Sequence, residues 1–413
     1  MVVAVESTSL TSRPAAEAYL GGVCFKLGPP KLIGAELEWL TANDSQAFTR
    51  PDLASIAAAL GPHAPRSLVP DSPARPLPAG SLVTVEPGGQ IELSSVPRDS
   101  AVALCDALAS DERTLCSLLA KHSITTHARA ADTRRSAERL LHLPRYRAME
   151  ERFEGVGPFG KLMMCNTAAV QVSVDAGVDR ADVARRWNLL HTIGPALIAA
   201  FACSPRLHGI PPGRWVSQRM RTWLELDPPR TGGPSDTGEW TDDPIGDYAR
   251  WVLDVPLLCV IRDGPSWTAP PDATFADWID GALDDDLGRR PTRADLDYHL
   301  TTVFPLVRAV GHLEVRYFDT QPGDRWRLPV AAVEALLDAP DATDVAADTR
   351  GRWKDAARDG LADGELRAGA AALLELAAEH AADPALGAEL GSAAGRCRRG
   401  EQTRGEQARG TTA

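Results

Sequence analysis

The chain has 413 residues, and its 56 acidic residues outnumber its 44 Lys and Arg residues, so the net charge is −12 before histidines are counted. Hydrophobic residues make up 44% and charged residues 24%, which is typical of a soluble globular protein with a large core. Such an acidic chain is a poor general binder of nucleic acid or anionic lipid, because both need a basic surface. We therefore expect no nucleic acid and no membrane among its partners.

Targeting and compartment signals favour the cytoplasm. Residues 1–13 contain no basic region followed by an apolar run and a small-residue cleavage site, so we predict no signal peptide. The most apolar helical stretch, residues 193–203, is far shorter than the ~20 residues of a membrane span, and we interpret it as a core helix. The seven cysteines are odd in number and include no CxxC pair, which is typical of a reducing cytoplasm.

Hydrophobic periodicity and turn residues predict a mixed order of strands and helices. In chain order, we predict a short helix at 15–20; strands at 31–40, 82–86 and 90–94; a helical region at 99–153; a strand at 168–175; a helix at 179–203 with Asp179 as its N-cap; a long loop at 223–247; short helices over 247–310; a strand at 313–318; and helices over 330–390. Strands separated by long helical pairs indicate an α+β fold with a largely antiparallel sheet.

We predict a single catalytic domain over residues 1–390, with its motifs in 30–320 and C-terminal helices in 330–390. Six prolines place residues 61–80 in an extended surface loop. Residues 391–413 are rich in Gly, Arg, Gln and Thr, a composition that predicts a disordered tail.

The predicted strands carry polar residues, mostly carboxylates, at alternate positions. Residues i and i+2 of a strand share one face, so Glu36 and Glu38 lie together, opposite the apolar face that contains Leu37 and Trp39. The same alternation places further polar residues on one face of the hairpin and of the later strands: Glu86, Gln90, Glu92, Gln171, Glu314 and Arg316.

A sheet with one solvated face is the simpler interpretation of any single strand. Taken together, however, these positions contain five glutamates and no lysine. If the strands form one sheet, five carboxylates crowd one surface, and their like charges oppose folding. Mg²⁺ or Mn²⁺ would relieve the repulsion because both prefer oxygen ligands, and Gln171 would add a neutral oxygen. Metals bound in this way would hold a nucleotide triphosphate.

Arginines are expected on the cationic side of such a site. Residues 217–232 contain Arg219, Arg221 and Arg230 around Trp223, before and within a Gly/Pro-rich segment that would close over an anionic substrate. We interpret Arg221 as a surface salt-bridge residue.

Four segments together resemble the glutamate–cysteine ligases, specifically the branch with plant and actinobacterial enzymes. They are GAELE at residues 34–38, EPGGQIELS at 86–94, the stretch from Arg219 to Gly232, and HLTTVFPLVR at 299–308 with LEVR at 313–316. The hairpin motif is the most specific of the four. The resemblance covers roughly residues 30–320, and the overall likeness is to the actinobacterial enzymes that supply ergothioneine synthesis.

The resemblance implies an ATP-dependent ligase with an antiparallel sheet curved into a half-barrel, related to glutamine synthetase. ATP would phosphorylate the γ-carboxylate of L-glutamate, and the amine of L-cysteine would attack this γ-glutamyl phosphate to give γ-glutamylcysteine. The alternative is a carboxylate–amine ligase of the same superfamily that joins glutamate or a related acid to a different amine, because nothing in the sequence identifies the thiol pocket. We expect a monomer rather than an oligomer.

The resemblance also implies roles for the carboxylates and for one arginine. The residues that match the metal-binding positions of the family, for Mg²⁺ or Mn²⁺, are Glu36, Glu38, Glu86, Glu92, Glu314 and, more weakly, Gln171. Arg316 would act in catalysis by neutralising the transferring phosphoryl group, and Arg316 and Glu314 would contact ATP.

The remaining matches concern the acidic substrate. Arg219 and Arg230 would hold the α-carboxylate of glutamate or the developing acyl phosphate, and the sequence does not divide these two roles between them. Arg230 is thus also a catalytic candidate, while Trp223 and Gln90 are expected to contact the substrate. The Gly88-Gly89 pair would let the backbone approach a ligand closely.

Overall fold

The computed structural model describes residues 9–29, 31–44, 48–235 and 237–403. The strands in this part of the chain are β1 (Ile33–Asn43), β2 (Leu82–Val85), β3 (Ile91–Ser94), β4 (Ile124–His127), β5 (Ala169–Val174), β6 (Val307–Ala309) and β7 (Leu313–Asp319). The helices are α1 (Arg13–Cys24), α2 (Leu53–Leu60), α3 (Ala101–Ala120), α4 (Pro144–Val156), α5 (Phe159–Asn166), α6 (Arg180–Phe201), α7 (Gln218–Leu226), α8 (Pro228–Thr231), α9 (Pro244–Asp254), α10 (Phe275–Asp280), α11 (Asp284–Leu287), α12 (Arg293–Leu300), α13 (Arg327–Leu337), α14 (Ala342–Val345), α15 (Trp353–Asp359), α16 (Gly364–His380) and α17 (Pro384–Arg398).

The strands form one open sheet in the order β2-β3-β1-β5-β7-β6, and β4 pairs with β1 beyond this path. Every pairing is antiparallel. β1 reaches three partners because it is 11 residues long: its earlier residues pair with β3 and β5, and residues 40–43 pair with β4. The predicted α+β fold with an antiparallel sheet is confirmed.

The strand register brings the polar positions into neighbouring rows. The facing pairs are Glu38 with Glu92, Glu36 with Gln171, and Glu314 with Arg308. The alternation predicted from the sequence therefore concentrates the carboxylates on one face of one sheet.

The opposite face of the sheet lies in the hydrophobic core. Val172, Val315 and Tyr317 are buried there, and the Tyr317 hydroxyl donates to the Leu190 carbonyl of α6 at 3.2 Å. All residues of α6 from 186 to 201 are buried, which confirms its interpretation as a core helix. Helices α13 and α16 pack against α6, and α17 packs against α13 and α16. None of the described helices combines the length and the apolar content needed to cross a bilayer.

Four segments differ from the sequence expectations. The strands β4 and β6 were not predicted: β4 interrupts the helical region predicted at 99–153, whose next helix begins only at Pro144, and β6 lies in the stretch 247–310 that was predicted as short helices. The loop predicted at 223–247 contains the end of α7, all of α8 and the start of α9. The disordered tail is wrong for residues 391–398, because α17 continues to Arg398 and buries Ala394 and Cys397. Residues 404–413 lie outside the described residues.

Candidate active site

A cavity of about 270 Å³ lies over the polar face of the sheet, beneath α4, α5, α7 and the residues that follow α12. We call it the carboxylate cavity. Nine of the predicted site residues line it: Glu36, Glu38, Glu86, Gln90, Glu92, Gln171, Arg219, Trp223 and Arg316. Residues from five separate stretches of the sequence thus meet at one place.

Four carboxylates in this cavity have raised pKa values. Burial and the charge of Glu86 raise the pKa of Glu38 to about 8, and burial with neighbouring carboxylates does the same for Glu92. Burial and nearby carboxylates raise the pKa of Glu36, and burial raises that of Glu86. The predicted crowding of like charges is therefore present in these four residues.

Gln171 bridges two of the carboxylates. Its Nε2 donates to Glu36 Oε2 at 3.0 Å and to Glu38 Oε1 at 3.1 Å, while the backbone N–H of Ala169 donates to Glu38 Oε2 at 2.9 Å. Gln171 Oε1 is buried and has no hydrogen-bond partner within the described residues. A buried acceptor without a donor, beside carboxylates that resist ionisation, is an environment that a cation would stabilise.

Glu314 differs from the other glutamates. It is 3% exposed and forms ion pairs with Arg316 Nη1 and, at 2.9 Å, with Arg308 Nη2. Burial opposes its ionisation, but the charges of Arg308 and Arg316 lower its pKa to about 2. Glu314 is thus held as a carboxylate behind the cavity wall. The Nε atoms of both arginines are buried and have no partner among the residues described, although both side chains line the cavity.

A bulge in β7 sets the position of Arg316. The pairing of β5 with β7 shifts register here, which leaves one extra residue of β7 opposite Gln171. The Arg316 N–H donates to the Leu306 carbonyl at 3.0 Å, and the Arg316 carbonyl accepts from Arg219 Nη2 at 2.8 Å. Bulges commonly redirect a side chain next to an active site, and this bulge makes Arg219 the partner of the displaced carbonyl.

Trp223 of α7 lies beside both guanidinium groups. The Cζ atoms of Arg219 and Arg316 are 5.6 and 5.3 Å from the indole ring centroid. The indole N–H donates to the Phe304 carbonyl at 2.8 Å, which fixes the plane of the ring. These distances are within the range of cation–π attraction, so Trp223 limits where the two arginines can move.

The structure does not bring Arg230 to the carboxylate cavity. Its side chain is fully buried in α8 and donates to Asp227 at 3.2 Å, to the Thr302 carbonyl at 2.8 Å and to the Pro256 carbonyl at 2.5 Å. These contacts join three segments of the chain. Arg230 therefore positions the segment after α12 rather than facing the cavity.

Gly88 of the β2–β3 hairpin is required for a different reason from the one expected. A Cβ on Gly88 would lie 2.3 Å from the Cys165 carbonyl oxygen of α5, so the close approach is to protein backbone. Gln90 supports the same contact: its Nε2 donates to the Thr167 carbonyl at 2.9 Å, and its Oε1 accepts from Gly88 N–H at 3.0 Å. The amide of Gln90 is occupied by this contact.

Comparison with known proteins identifies the family. Residues 32–409 match the model of glutamate-cysteine ligase family 2, GCS2. The chain belongs to this family. It is 39% identical to glutamate–cysteine ligase EgtA of Mycolicibacterium smegmatis over 384 residues, which cover 90% of this chain and 85% of that protein. It is 38% identical to EgtA of Mycobacterium tuberculosis, with 93% and 87% covered, and 31% identical to the chloroplastic glutamate–cysteine ligase of Brassica juncea, with 68% and 54% covered. The predicted family and ligase class are confirmed.

Solved structures share the fold. The glutamate–cysteine ligase of Francisella tularensis in complex with AMP has a TM-score of 0.53 at 13% identity, covering 91% of this chain and 82% of that chain. A bifunctional glutathione synthetase from Pasteurella multocida has a TM-score of 0.51 at 14% identity, with 95% and 52% covered.

Several lining residues of this GCS2 chain were not predicted from the sequence: Arg145, Tyr146, Met149, Thr301 and Arg308. Arg145 donates to Thr301 Oγ1 at 2.5 Å and to its carbonyl at 2.6 Å, which links α4 to the segment after α12. Arg308 could have been found from the sequence, because it belongs to the VR pair at 307–308 that ends one of the family motifs. Nothing in the helical pattern of α4 marks Arg145 or Tyr146.

The oxygen donors in the cavity fit a magnesium–nucleotide complex better than an isolated metal. Within the described ranges, no group of three or more Asp, Glu, His or Cys side chains is placed so that it could hold a metal ion. Mg²⁺, however, usually takes one or two carboxylates together with substrate phosphates and waters. Two carboxylates bridged by Gln171, with its unpartnered Oε1, provide such a partial set.

Proposed function

We propose that this GCS2 chain is an ATP-dependent glutamate–cysteine ligase. It would join the γ-carboxylate of L-glutamate to the amine of L-cysteine through γ-glutamyl phosphate, with release of ADP and phosphate, as a step in ergothioneine biosynthesis. The observation that carries the proposal is the carboxylate cavity. Four carboxylates with raised pKa face two arginines, Arg308 and Arg316, whose Nε donors have no described partner. The carboxylates favour a cation and the unpartnered arginine donors favour an anion, so the cavity suits a metal ion together with a phosphate.

The carboxylates would hold Mg²⁺ or Mn²⁺ together with ATP. The ligands we propose are Glu36, Glu38 and the Oε1 of Gln171, with Glu86 and Glu92 as further carboxylates that line the same cavity. When bound, the cation would neutralise phosphate charge and hold the phosphates in a fixed arrangement. Arg316 and Arg308 both contact Oε2 of Glu314, and Arg308 also donates to its Oε1 at 3.1 Å, so this residue becomes available to a cation or to ATP only when one of these contacts opens.

Arg316 is the proposed catalytic arginine. It lies at the bulge, the neighbouring Trp223 ring restricts its movement, and its side chain lines the cavity with an Nε donor that has no partner among the described residues. A guanidinium stabilises three phosphoryl oxygens better than a point charge does, because it offers several donors in one plane. Arg219 shares the wall and would bind the acidic substrate with its remaining donors. Gln90 and Arg230 act by holding the surrounding backbone.

Cytoplasmic location and a monomeric state are part of the proposal. The seven cysteines are free thiols, and six of them are buried, which supports a reducing environment. Light scattering of the purified protein measures the oligomeric state directly, and a stable dimer would correct this part.

The test is release of ADP and formation of γ-glutamylcysteine by the purified protein with Mg²⁺-ATP and L-glutamate. We expect turnover that depends on L-cysteine and exceeds that with each amine of a panel. Glu92→Gln should lose most activity, whereas the exposed control Glu239→Gln should keep it. Turnover that ignores cysteine but responds to another amine would replace the proposal with the alternative superfamily ligase. No glutamate-dependent ADP release would overturn both.

A further inference from the structure

A second cavity, of about 1000 Å³, shares no lining residue with the carboxylate cavity. It lies between the C-terminal ends of α6 and α17 and the segment that precedes α7. Its charged lining residues are Arg129, Arg206, Arg214, Arg325 and Arg396, against Glu401. We call it the arginine cavity. Five positive charges against one negative charge are a marked local excess in a chain with a net charge of −12.

The arginines of this cavity are poorly neutralised by the protein. Arg129 Nε is buried and has no hydrogen-bond partner in the part of the chain that the structure describes. Burial and the charges of Arg325 and Arg399 lower the pKa of Arg396. Arg352, by contrast, contacts the carboxylates of Asp355, Asp363 and Glu365. Guanidinium groups gathered without such partners favour an anion from solution.

One residue of the arginine cavity connects directly to the carboxylate cavity. Ser204 lines the arginine cavity. Its Oγ donates to Asp319 Oδ2 at 2.8 Å and accepts from the backbone N–H of Arg219 at 3.3 Å. Asp319 also accepts from Ser217, the N-cap of α7, at 2.8 Å. Arg219 in turn lines the carboxylate cavity and holds the Arg316 carbonyl. A ligand that shifts Ser204 would therefore shift the first turn of α7.

We propose that the arginine cavity binds a small polyanion of the phosphate class, and that this binding is coupled to the affinity of the carboxylate cavity through Ser204, Asp319 and Arg219. Guanidinium forks match the geometry of phosphate oxygens. The volume is within the range of sites for nucleotide-sized ligands, and the concave shape does not suit a lipid surface or a duplex. Coupling between two sites is reciprocal, so each ligand should change the affinity of the other by the same factor.

Binding is tested with inorganic triphosphate on the full chain, by titration calorimetry without divalent cations and at constant ionic strength. We expect saturable binding that weakens by about tenfold or more in Arg325→Ala/Arg396→Ala, since each lost charge removes a direct contact. The matched control is Arg180→Ala/Arg250→Ala, which removes the same charge from side chains that are 76% and 50% exposed. Arg316→Ala removes a cationic residue of the carboxylate cavity, so this variant distinguishes triphosphate bound there from triphosphate bound in the arginine cavity.

Three results would overturn the site: no binding by the unmodified protein, equal weakening in both double variants, or binding lost only in Arg316→Ala. Thermal unfolding checks that each variant folds, and Arg206→Glu, at an exposed position, offers a second reduction in cavity charge.

Coupling is tested by titrating L-glutamate with and without triphosphate. The apparent affinity should change by about threefold or more in the unmodified protein and by much less in Ser204→Ala, in which triphosphate still binds. An unchanged glutamate affinity despite bound triphosphate would overturn the coupling. Failure of glutamate to bind at all would count against the proposed ligase function and not against the anion site.

Discussion

Replacing Glu38 by Gln should stabilise the metal-free protein at alkaline pH. Glu38 lies opposite Glu92, and burial together with the charge of Glu86 raises its pKa from 4.5 to about 8. An acid whose folded-state pKa is raised favours folding fully below pH 4.5, and this contribution is lost as the pH rises toward 8. Gln resembles the protonated acid at every pH, so Glu38→Gln should keep the stability that the unmodified protein loses.

The size of the effect follows from the displacement of the pKa. At pH 7 the solution is about 2.5 pH units above the ordinary carboxyl pKa, which corresponds to about 3.4 kcal/mol at about 1.36 kcal/mol per unit. This figure is an upper limit. Glu38 is partly accessible to water, and protonation of Glu92 relieves some of the same repulsion. We expect a gain of about 1–2 kcal/mol in the free energy of unfolding.

The assay is urea unfolding followed by circular dichroism, with EDTA present, at pH 4 and pH 8. Glu38→Gln should match the unmodified protein at pH 4 and exceed it at pH 8. Glu239→Gln, at an exposed position, is the matched control and should show no pH-dependent difference. A gain of equal size at both pH values, or a loss at pH 8, would refute the interpretation that crowded carboxylates cost folding energy in this cavity.

Three further changes test single residues. Glu314→Gln should destabilise the protein by about 2–3 kcal/mol at pH 7, because Arg308 and Arg316 lose their shared carboxylate. Since the pKa of Glu314 is lowered to about 2, the difference between the two proteins in urea unfolding should shrink as the pH falls from 4.5 toward 2. A stabilised variant would contradict this. Arg230→Ala should cost about 3–5 kcal/mol, whereas Arg230→Lys, if folded, should keep the KM for glutamate within about twofold; a tenfold rise would return Arg230 to the substrate site. Gln402→Ala should lower Tm by a few degrees, because its amide bonds three backbone groups; an unchanged Tm would show that this segment is not docked.

The strand patterns predicted the carboxylate face because a strand leaves its side chains little choice of side. Once Leu37 is buried, Glu36 and Glu38 must lie on the opposite face, and antiparallel pairing then brings Glu92 beside them. This inference needs only local periodicity and one hydrophobic core.

The errors have a common cause in tertiary contacts. Arginine in a Gly/Pro-rich segment suits a substrate anion and a set of backbone carbonyls equally well, and only the structure shows that Arg230 binds carbonyls. Glu314 was grouped with the crowded carboxylates, but the neighbouring strand β6 supplies Arg308 and reverses the direction of its pKa shift. Likewise, Gly- and Arg-rich residues after 390 form a helix because α17 packs along α16 and buries Ala394 and Cys397.

L-Glutamate labelled with ¹⁸O in its γ-carboxylate gives the most direct test of the proposed reaction. During turnover with Mg²⁺-ATP and L-cysteine, one carboxylate oxygen bonds to phosphorus and departs with phosphate when the amine attacks the carbonyl carbon. The proposed reaction predicts one ¹⁸O atom in the inorganic phosphate for each γ-glutamylcysteine formed. Formation of γ-glutamylcysteine with unlabelled phosphate would contradict the γ-glutamyl phosphate route.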